Sequence, residues 1–219
     1  MKNMFKYAAA VTLFVLFSNA DASMIKIDTG FLSAGQQIDA VAYKSLVDSA
    51  VASPSAGYGT TNISIYDNIS NHSLFSGGSY TDIAFKSTID FHVSAANAGA
   101  WDFRAGVDFG YGGAMYLDGV AYDFKTNDMW WNGSYSDSSQ YLSINSLNLI
   151  AGNHTLNLYG FEGCCDGYQQ AQFSYGGSGF TTFASNDVLS AVPEPETYAM
   201  FLVGLGLLGF AARRRKQNI

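Results

Sequence analysis

The sequence has few of the residues on which most active sites and nucleic-acid-binding surfaces depend. Its 219 residues include three histidines, two cysteines and eleven lysines and arginines, against eighteen acidic residues. His72, His92 and His154 lack the H-E-x-x-H spacing of zinc proteases, and no G-x-S-x-G nucleophile elbow occurs. A net charge of −7 repels phosphate backbones. We therefore expect neither an enzyme nor a nucleic-acid-binding protein.

The first 22 residues have the three parts of a secretory signal peptide. Lys2 and Lys6 form the basic part, residues 7–17 are apolar, and Ala20-Asp21-Ala22 supplies the small residues of a cleavage site. The apolar run is too short for a membrane-spanning helix, which needs about 20 residues. We predict a signal peptide over residues 1–22, with cleavage after Ala22 in preference to Ala20.

Residues 191–219 contain three features in sequence. The run Val192-Pro193-Glu194-Pro195 comes first, the apolar stretch Tyr198–Ala212 follows, and Arg213-Arg214-Arg215 begins a basic tail. Because a basic cluster stays on the cytoplasmic side, the chain before the apolar stretch is expected to lie outside. The pattern predicts a C-terminal transmembrane anchor that holds an exported domain at the membrane.

These features together resemble the PEP-CTERM sorting signal. The resemblance implies that an exosortase, a membrane protease-transferase, processes the chain near Pro193-Glu194-Pro195, with Arg213-Arg214-Arg215 as the anchor tail. It further implies a Gram-negative bacterium that makes extracellular polysaccharide. The product would then belong to the cell surface or the extracellular matrix. The alternative is an ordinary C-terminal anchor helix without processing.

Between the two terminal signals lies one predicted domain, residues 23–190. Residues 23–192 hold five basic and fifteen acidic residues, a net charge near −10 that favours cations over phosphates. Apolar and polar side chains alternate along residues 63–66, 89–93 and 101–109, as in strands with one face against a core. Only residues 40–52 have helical spacing. We predict an all-β antiparallel sandwich, jelly-roll-like in character, with one short helix.

A second resemblance concerns residues 85–175. Val107-Asp108-Phe109-Gly110, the predicted Asp118-Gly119 hairpin, Trp130-Trp131 and the turn before His154 are similar to PA14-type β-sandwich domains. Several PA14-like domains bind carbohydrate through Ca²⁺ held by two adjacent Asp residues. The resemblance implies Asp108 and Asp118 as Ca²⁺ ligands, although Phe109 stands where the adjacent Asp would be.

Cys164 and Cys165 are the only cysteines, and they are adjacent. In an exported protein they can form a vicinal disulfide, remain free thiols or pair between molecules, and we expect the vicinal disulfide. Gly163-Cys164-Cys165-Asp166-Gly167 also resembles the Cys-Cys-x-Gly signature of a PEP-CTERM subgroup.

The best candidate for a binding site is the aromatic segment 128–135. Sugars stack on aromatic faces, so we predict that Trp130, Trp131 and Tyr135 bind carbohydrate, helped by neighbouring Asp and Asn side chains. The alternative is that one Trp is buried and the other is half exposed.

Two classes of function fit these observations. In the first, the exported domain binds or associates with extracellular polysaccharide. In the second, it is a structural surface protein without a small-ligand site. An exposed concave cluster of aromatic and Asp side chains would favour the first class, and a smooth polar surface would favour the second.

Overall fold

The computed structural model describes residues 23–187, 189 and 203–208. Residues 23–187 and 189 belong to one compact unit. The predicted signal peptide, the Val192-Pro193-Glu194-Pro195 motif and the Arg213-Arg214-Arg215 tail lie outside the described residues. Residues 203–208, inside the predicted anchor, are helical. Within the described part of the chain, no helix has both the length and the apolar character needed to cross a membrane.

The compact unit contains ten strands and three short helices within its described residues. The strands are β1 (Met24–Phe31), β2 (Thr60–Ile63), β3 (Thr81–Val93), β4 (Gly99–Gly106), β5 (Gly113–Leu117), β6 (Val120–Lys125), β7 (Tyr141–Leu149), β8 (Gly152–Cys164), β9 (Gln170–Tyr175) and β10 (Thr181–Thr182). The helices are α1 (Ala40–Val51), α2 (Asn71–Leu74) and a 3₁₀ turn at Ser138–Gln140.

Two antiparallel sheets form the sandwich. The first has the order β2-β1-β3-β8-β5-β6, and the second has the order β10-β9-β4-β7. Inward side chains of both sheets form one core, in which the alternating residues of β3 and β4 are each less than 5% exposed. The predicted all-β sandwich is therefore confirmed, and so is the inward face that the alternation of residues 89–93 and 101–109 indicated.

Helix α1 covers the outer face of the larger sheet. Asp39 caps its N-terminus by accepting a hydrogen bond from the Ala42 amide at 2.8 Å. The buried side chains Tyr43 and Val47 pack in a second cluster with Tyr159 and Phe161 of β8. This cover explains why β5 is buried along its whole length, since both of its faces lie against apolar side chains.

The β5–β6 hairpin turns at the predicted dipeptide. Asp118 and Gly119 have φ angles of 50° and 79°, as a type I′ turn requires.

The alternation of inward and outward side chains predicted for residues 63–66 is wrong for residues 65 and 66. Tyr66 is buried and hydrogen-bonded to Ser87, whereas Ile65 is 48% exposed. The reason is that β2 ends at Ile63, after which the chain bends and presents the opposite set of side chains.

Candidate functional site

A pocket of about 360 Å³ opens in the loop between β6 and β7. Its lining combines one aromatic ring with amide, hydroxyl and carboxylate groups, from Asp128, Trp130, Asn132, Ser134, Ser136, Asp137 and Gln140. Trp130 is 66% exposed, an unusual position for the largest side chain. The pocket therefore offers a flat apolar face beside several hydrogen-bonding groups.

The loop that carries this pocket is anchored at both ends. Met129 is fully buried and exchanges two backbone hydrogen bonds with Phe109, at 2.9 and 3.2 Å. The Trp130 amide donates to Oε1 of Gln140 at 2.7 Å, which ties the first part of the loop to the 3₁₀ turn. Asn127 donates to the Ser139 carbonyl at 2.9 Å. These bonds fix the backbone on either side of the exposed indole.

Asp137 begins the 3₁₀ turn. One of its carboxylate oxygens, Oδ1, accepts from the amide and the hydroxyl of Ser139, at 2.9 and 2.7 Å. The two hydrogen bonds from Ser139 hold the pKa of Asp137 below its usual value. Asp137 therefore carries a negative charge at the rim of the pocket over the whole physiological pH range.

Two of the three predicted carbohydrate-binding aromatics do not face the pocket. Trp131 is 7% exposed, and its ring lies so close to Gly106 that any side chain there would collide with it. Tyr135 packs on Trp131 with ring centroids 4.4 Å apart, and the Arg104 guanidinium lies 3.8 Å from its ring centroid. The structure therefore buries Trp131 away from the pocket, as the alternative of one buried Trp expected, and Trp130 is the aromatic residue of the pocket lining. Sugar binding by this segment stays a prediction.

Three buried carboxylates lie beside this loop, from Asp108, Glu162 and Asp166. The carboxylates of Glu162 and Asp166 accept hydrogen bonds from backbone amides. Glu162 accepts from the amides of Gly110 and Cys164 at 2.6 and 2.7 Å. Asp166 accepts from the amides of Asn71 and His72 at 2.8 and 2.6 Å, at the start of α2. Both are buried, and their four hydrogen bonds satisfy backbone donors that would otherwise have no partner.

Asp108 is the third buried carboxylate of this group and accepts fewer hydrogen bonds than the other two. Its Oδ2 accepts from the Gly167 amide at 2.8 Å. Burial and the negative charge of Glu162 raise the pKa of Asp108 to about 7, against the opposing effect of the Gly167 hydrogen bond. Asp108 therefore changes its charge near neutral pH.

Asp108 and Asp118 do not form the Ca²⁺ site that the PA14 resemblance implied. Asp118 binds the Thr155 amide at 2.9 Å and His154 Nδ1 at 2.7 Å, at the far end of β8 from Glu162. Seven residues of β8 separate these ends, a distance of about 20 Å. Phe109, where the adjacent Asp would be, is fully buried in the core. Within the described residues, no three His, Cys, Asp or Glu side chains gather as metal ligands.

Comparisons with known proteins add two findings. Residues 191–216 match the family profile described as the PEP-CTERM protein-sorting motif. The chain carries a PEP-CTERM sorting signal. This confirms the family resemblance of the C-terminal segment and marks the chain as an exported protein. The comparison with curated protein sequences found no match.

Solved structures show the fold of the exported domain. A PA14 sugar-binding domain from an RTX adhesin is similar at 12% identity and a TM-score of 0.50, over 75% of this chain and 96% of that one. The PA14 domain of the MpAFP antifreeze protein has 13% identity and a TM-score of 0.46, over 82% and 94%. The epithelial adhesin 9 A domain from Candida glabrata, solved with Galβ1-4GlcNAc, has 8% identity and a TM-score of 0.45, over 78% and 94%. The likeness to the RTX adhesin domain confirms the PA14-like sandwich fold.

The end of β8 and the turn that follows it carry the two cysteines. Cys164 and Cys165 are exposed and joined by a disulfide. Cys165 and Asp166 both have positive φ, 90° and 43°, and a side chain at Gly167 would collide with Asp108. The turn therefore places Asp166 at the start of α2 and the Gly167 amide at Asp108. Membership of the Cys-Cys-x-Gly subgroup stays a prediction.

Several residues that build the site gave no signal in the sequence. Gln140, Asp137 and Glu162 belong to none of the motifs above, and Asp166 fills only the variable position of the Cys-Cys-x-Gly pattern. Their partners are distant in the chain or depend on the backbone conformation of a loop. The spacing Asp137-x-Ser139 is a local capping pattern that could have located the 3₁₀ turn. The roles of Glu162 and Asp166 depend on amides 50 to 95 residues away and require the fold.

Proposed function

We propose that this chain is an exported protein of the cell surface or extracellular matrix that is processed by an exosortase and binds extracellular polysaccharide through the Trp130 pocket. The sorting motif at residues 191–216 supports the first part. The observation that carries the second part is the exposed Trp130 ring in a pocket rimmed by polar side chains. We assign the domain a binding role and no catalytic reaction.

The chemistry of the pocket suits a pyranose ring. One face of a sugar presents C–H groups, which stack on an indole, while its hydroxyls need donors and acceptors around the edge. Asn132, Ser134 and Ser136 supply both kinds of group, and Asp128 and Asp137 supply acceptors. A 360 Å³ pocket accommodates one or two sugar units, as expected for a protein that holds a segment of a longer chain.

The alternative is a structural surface protein without a small-ligand site. That alternative gives no role to the 66% exposed Trp130 ring among the polar groups of the pocket, whereas sugar binding uses both. The anchoring of the loop through Met129 and Gln140 also favours binding, because a fixed backbone reduces the entropy lost when a ligand is held.

A glycan array tests the binding role. We expect the purified protein to bind a subset of polysaccharide fragments, and Trp130→Ala to lose at least ten-fold in affinity. Tyr122→Ala is the matched control, since Tyr122 is a half-exposed aromatic on β6 outside the pocket. Because Asp108 and Asp118 lie at opposite ends of β8, we expect a chelator to leave binding unchanged. Equal binding by wild type and Trp130→Ala would contradict the proposal.

The sorting role has a separate test. Replacement of Pro193-Glu194-Pro195 by three alanines should leave unprocessed precursor in the membrane fraction, which an immunoblot of the fractions would detect by its larger mass. Normal processing of this variant would contradict the exosortase assignment and leave the binding role intact.

A further inference from the structure

The pocket that we assign to polysaccharide has a one-sided charge. Its lining includes two carboxylates, from Asp128 and Asp137, and no lysine, arginine or histidine. We propose that the pocket selects amine-bearing sugars, such as the glucosamine units of a partly deacetylated polysaccharide, and rejects uronic acids. This inference depends on the proposed carbohydrate-binding function and specifies its ligand class.

The lysines of the described residues form ion pairs with aspartates that lie outside the pocket lining. Lys26 pairs with Asp28, Lys44 and Lys86 pair with Asp48, and Lys125 pairs with Asp123. None of these residues lines the pocket.

Arg104 is also engaged away from the pocket. Its guanidinium lies between the rings of Tyr135 and Phe180, at 3.8 and 3.7 Å, and its Nε donates to Gln172 at 2.7 Å. An anionic sugar in the pocket would therefore meet two negative charges without a cation in the pocket lining to offset them.

The two pocket carboxylates are available to a ligand. Asp137 uses only Oδ1 in its hydrogen bonds to Ser139, which leaves Oδ2. The backbone carbonyl of Asp128 accepts a hydrogen bond from the Asn127 side chain at 2.9 Å, and the Asp128 side chain is exposed. This distinguishes them from Glu162 and Asp166, whose carboxylates are occupied by backbone amides.

Trp130 strengthens the same preference. An ammonium group beside an indole face is attracted by the electrons of the ring, and Trp is the best side chain for this interaction. A protonated amino sugar would combine that attraction with ion pairs to Asp128 or Asp137, whereas an N-acetylated sugar keeps only stacking and hydrogen bonds. Together these contributions predict roughly ten-fold tighter binding of the amine-bearing sugar.

The experiment compares three oligosaccharides of equal length: a glucosamine oligomer, an N-acetylglucosamine oligomer and a galacturonic acid oligomer. Their affinities for the full-length protein, held in a detergent without a sugar headgroup, are measured by calorimetry at pH 6 and low salt. We expect the order glucosamine, N-acetylglucosamine, galacturonic acid, with about ten-fold between the first two.

Two variants test whether Asp128 and Asp137 cause the preference for the glucosamine oligomer. The double variant Asp128→Asn/Asp137→Asn should bring the first two affinities within about two-fold of each other, because it removes both charges and keeps the shape of the side chains. Asp39→Asn is the matched control. It removes an exposed charge outside the pocket and keeps an N-cap for α1, so the ten-fold preference should remain.

The outcomes separate the two proposals. Binding of the uncharged or acidic oligomer as tight as that of glucosamine, or a preference that persists in the double variant, would overturn the amine selectivity alone. Failure of all three oligomers to bind, while the glycan array finds another ligand, would also overturn the amine selectivity alone. Failure of every fragment on the array, or equal binding to Trp130→Ala, would overturn the carbohydrate-binding function and this inference with it.

Discussion

The β6–β7 loop and the turn after β8 contact the same dipeptide and use their polar residues in opposite ways. Met129 of the loop bonds to Phe109, and Gly167 of the turn bonds to Asp108. In the turn and the adjoining end of β8, the carboxylates of Asp166 and Glu162 are occupied by backbone amides. In the loop, Asp128 and one oxygen of Asp137 remain for a ligand. A structural turn therefore differs from a candidate site in whether its carboxylate oxygens already accept hydrogen bonds from the backbone, and not in how many acidic residues it has.

The two adjacent tryptophans should show the largest difference in their effect on the free energy of unfolding. Trp131→Ala should lower the free energy of unfolding by about 3–5 kcal/mol, because it removes a buried ring from beneath Tyr135. Trp130→Ala should change it by less than about 0.5 kcal/mol, since the side chain is mostly exposed. Urea denaturation of both variants measures this. Similar losses for the two variants would show that the loop is not divided into a buried and an exposed half.

Asp166 tests the structural character of the turn. Asp166→Ala removes the acceptor for two amides at the start of α2 and should destabilise the domain by about 2 kcal/mol. Affinity for polysaccharide should not change, since the pocket residues are untouched. Asp128→Ala is the comparison in the loop, with the opposite expectation of near-unchanged thermal stability. A stability loss for Asp128→Ala equal to that for Asp166→Ala would contradict the contrast between the two regions.

Asp108, which lies between the two regions, should give stability a pH dependence. Its pKa of about 7 in the folded protein lies above the ordinary value near 3.9, so the folded state binds a proton that the unfolded chain has released. Stability from this group is therefore complete below about pH 4 and is lost as the pH rises through 7. The difference between the two pKa values corresponds to at most about 4 kcal/mol, and solvent screening reduces it, so Asp108→Asn should be more stable than wild type by about 1–4 kcal/mol at pH 8 and nearly equal to it at pH 4. Melting temperatures at the two pH values check this, and a gain at pH 4 alone would contradict it.

The disulfide should give the smallest effect on global stability. Cys164 and Cys165 are adjacent, so their bond closes no long loop and Cys164→Ser/Cys165→Ser should cost less than about 1 kcal/mol. We expect the wild-type protein to be a monomer without a free thiol. Intact mass after alkylation, without prior reduction, tests this. Two alkylated cysteines would contradict the internal bond, and a covalent dimer would indicate pairing between molecules.

The sequence predicted those parts of the molecule that depend on local pattern. The period of two along β3 and β4, the helix α1 and the Asp118-Gly119 turn are all encoded by neighbouring residues. The alternation failed at Ile65, where the end of β2 reverses the inward face. That reversal depends on the bridge between Ile65 and Ala184, which a short sequence window does not contain.

The candidate site was predicted less well than the fold. The segment 128–135 supplies four of the residues that line the pocket, but composition could not decide which tryptophan is buried. That choice depends on Gly106 of β4, whose missing side chain makes room for the Trp131 ring. The pairing of Asp108 with Asp118 failed because the two residues lie at opposite ends of β8, and their separation depends on strand register.

Acrylamide quenching of the intrinsic fluorescence tests the central claim, that Trp130 contacts the polysaccharide, most directly. The chain has three tryptophans, of which Trp101 and Trp131 are buried and Trp130 is exposed. The quenchable fraction therefore comes from Trp130. We expect a saturating glycan fragment, chosen by its binding in calorimetry, to protect this fraction from acrylamide. An unchanged quenching curve with the glycan bound would place the ligand elsewhere on the protein and contradict a contact with Trp130.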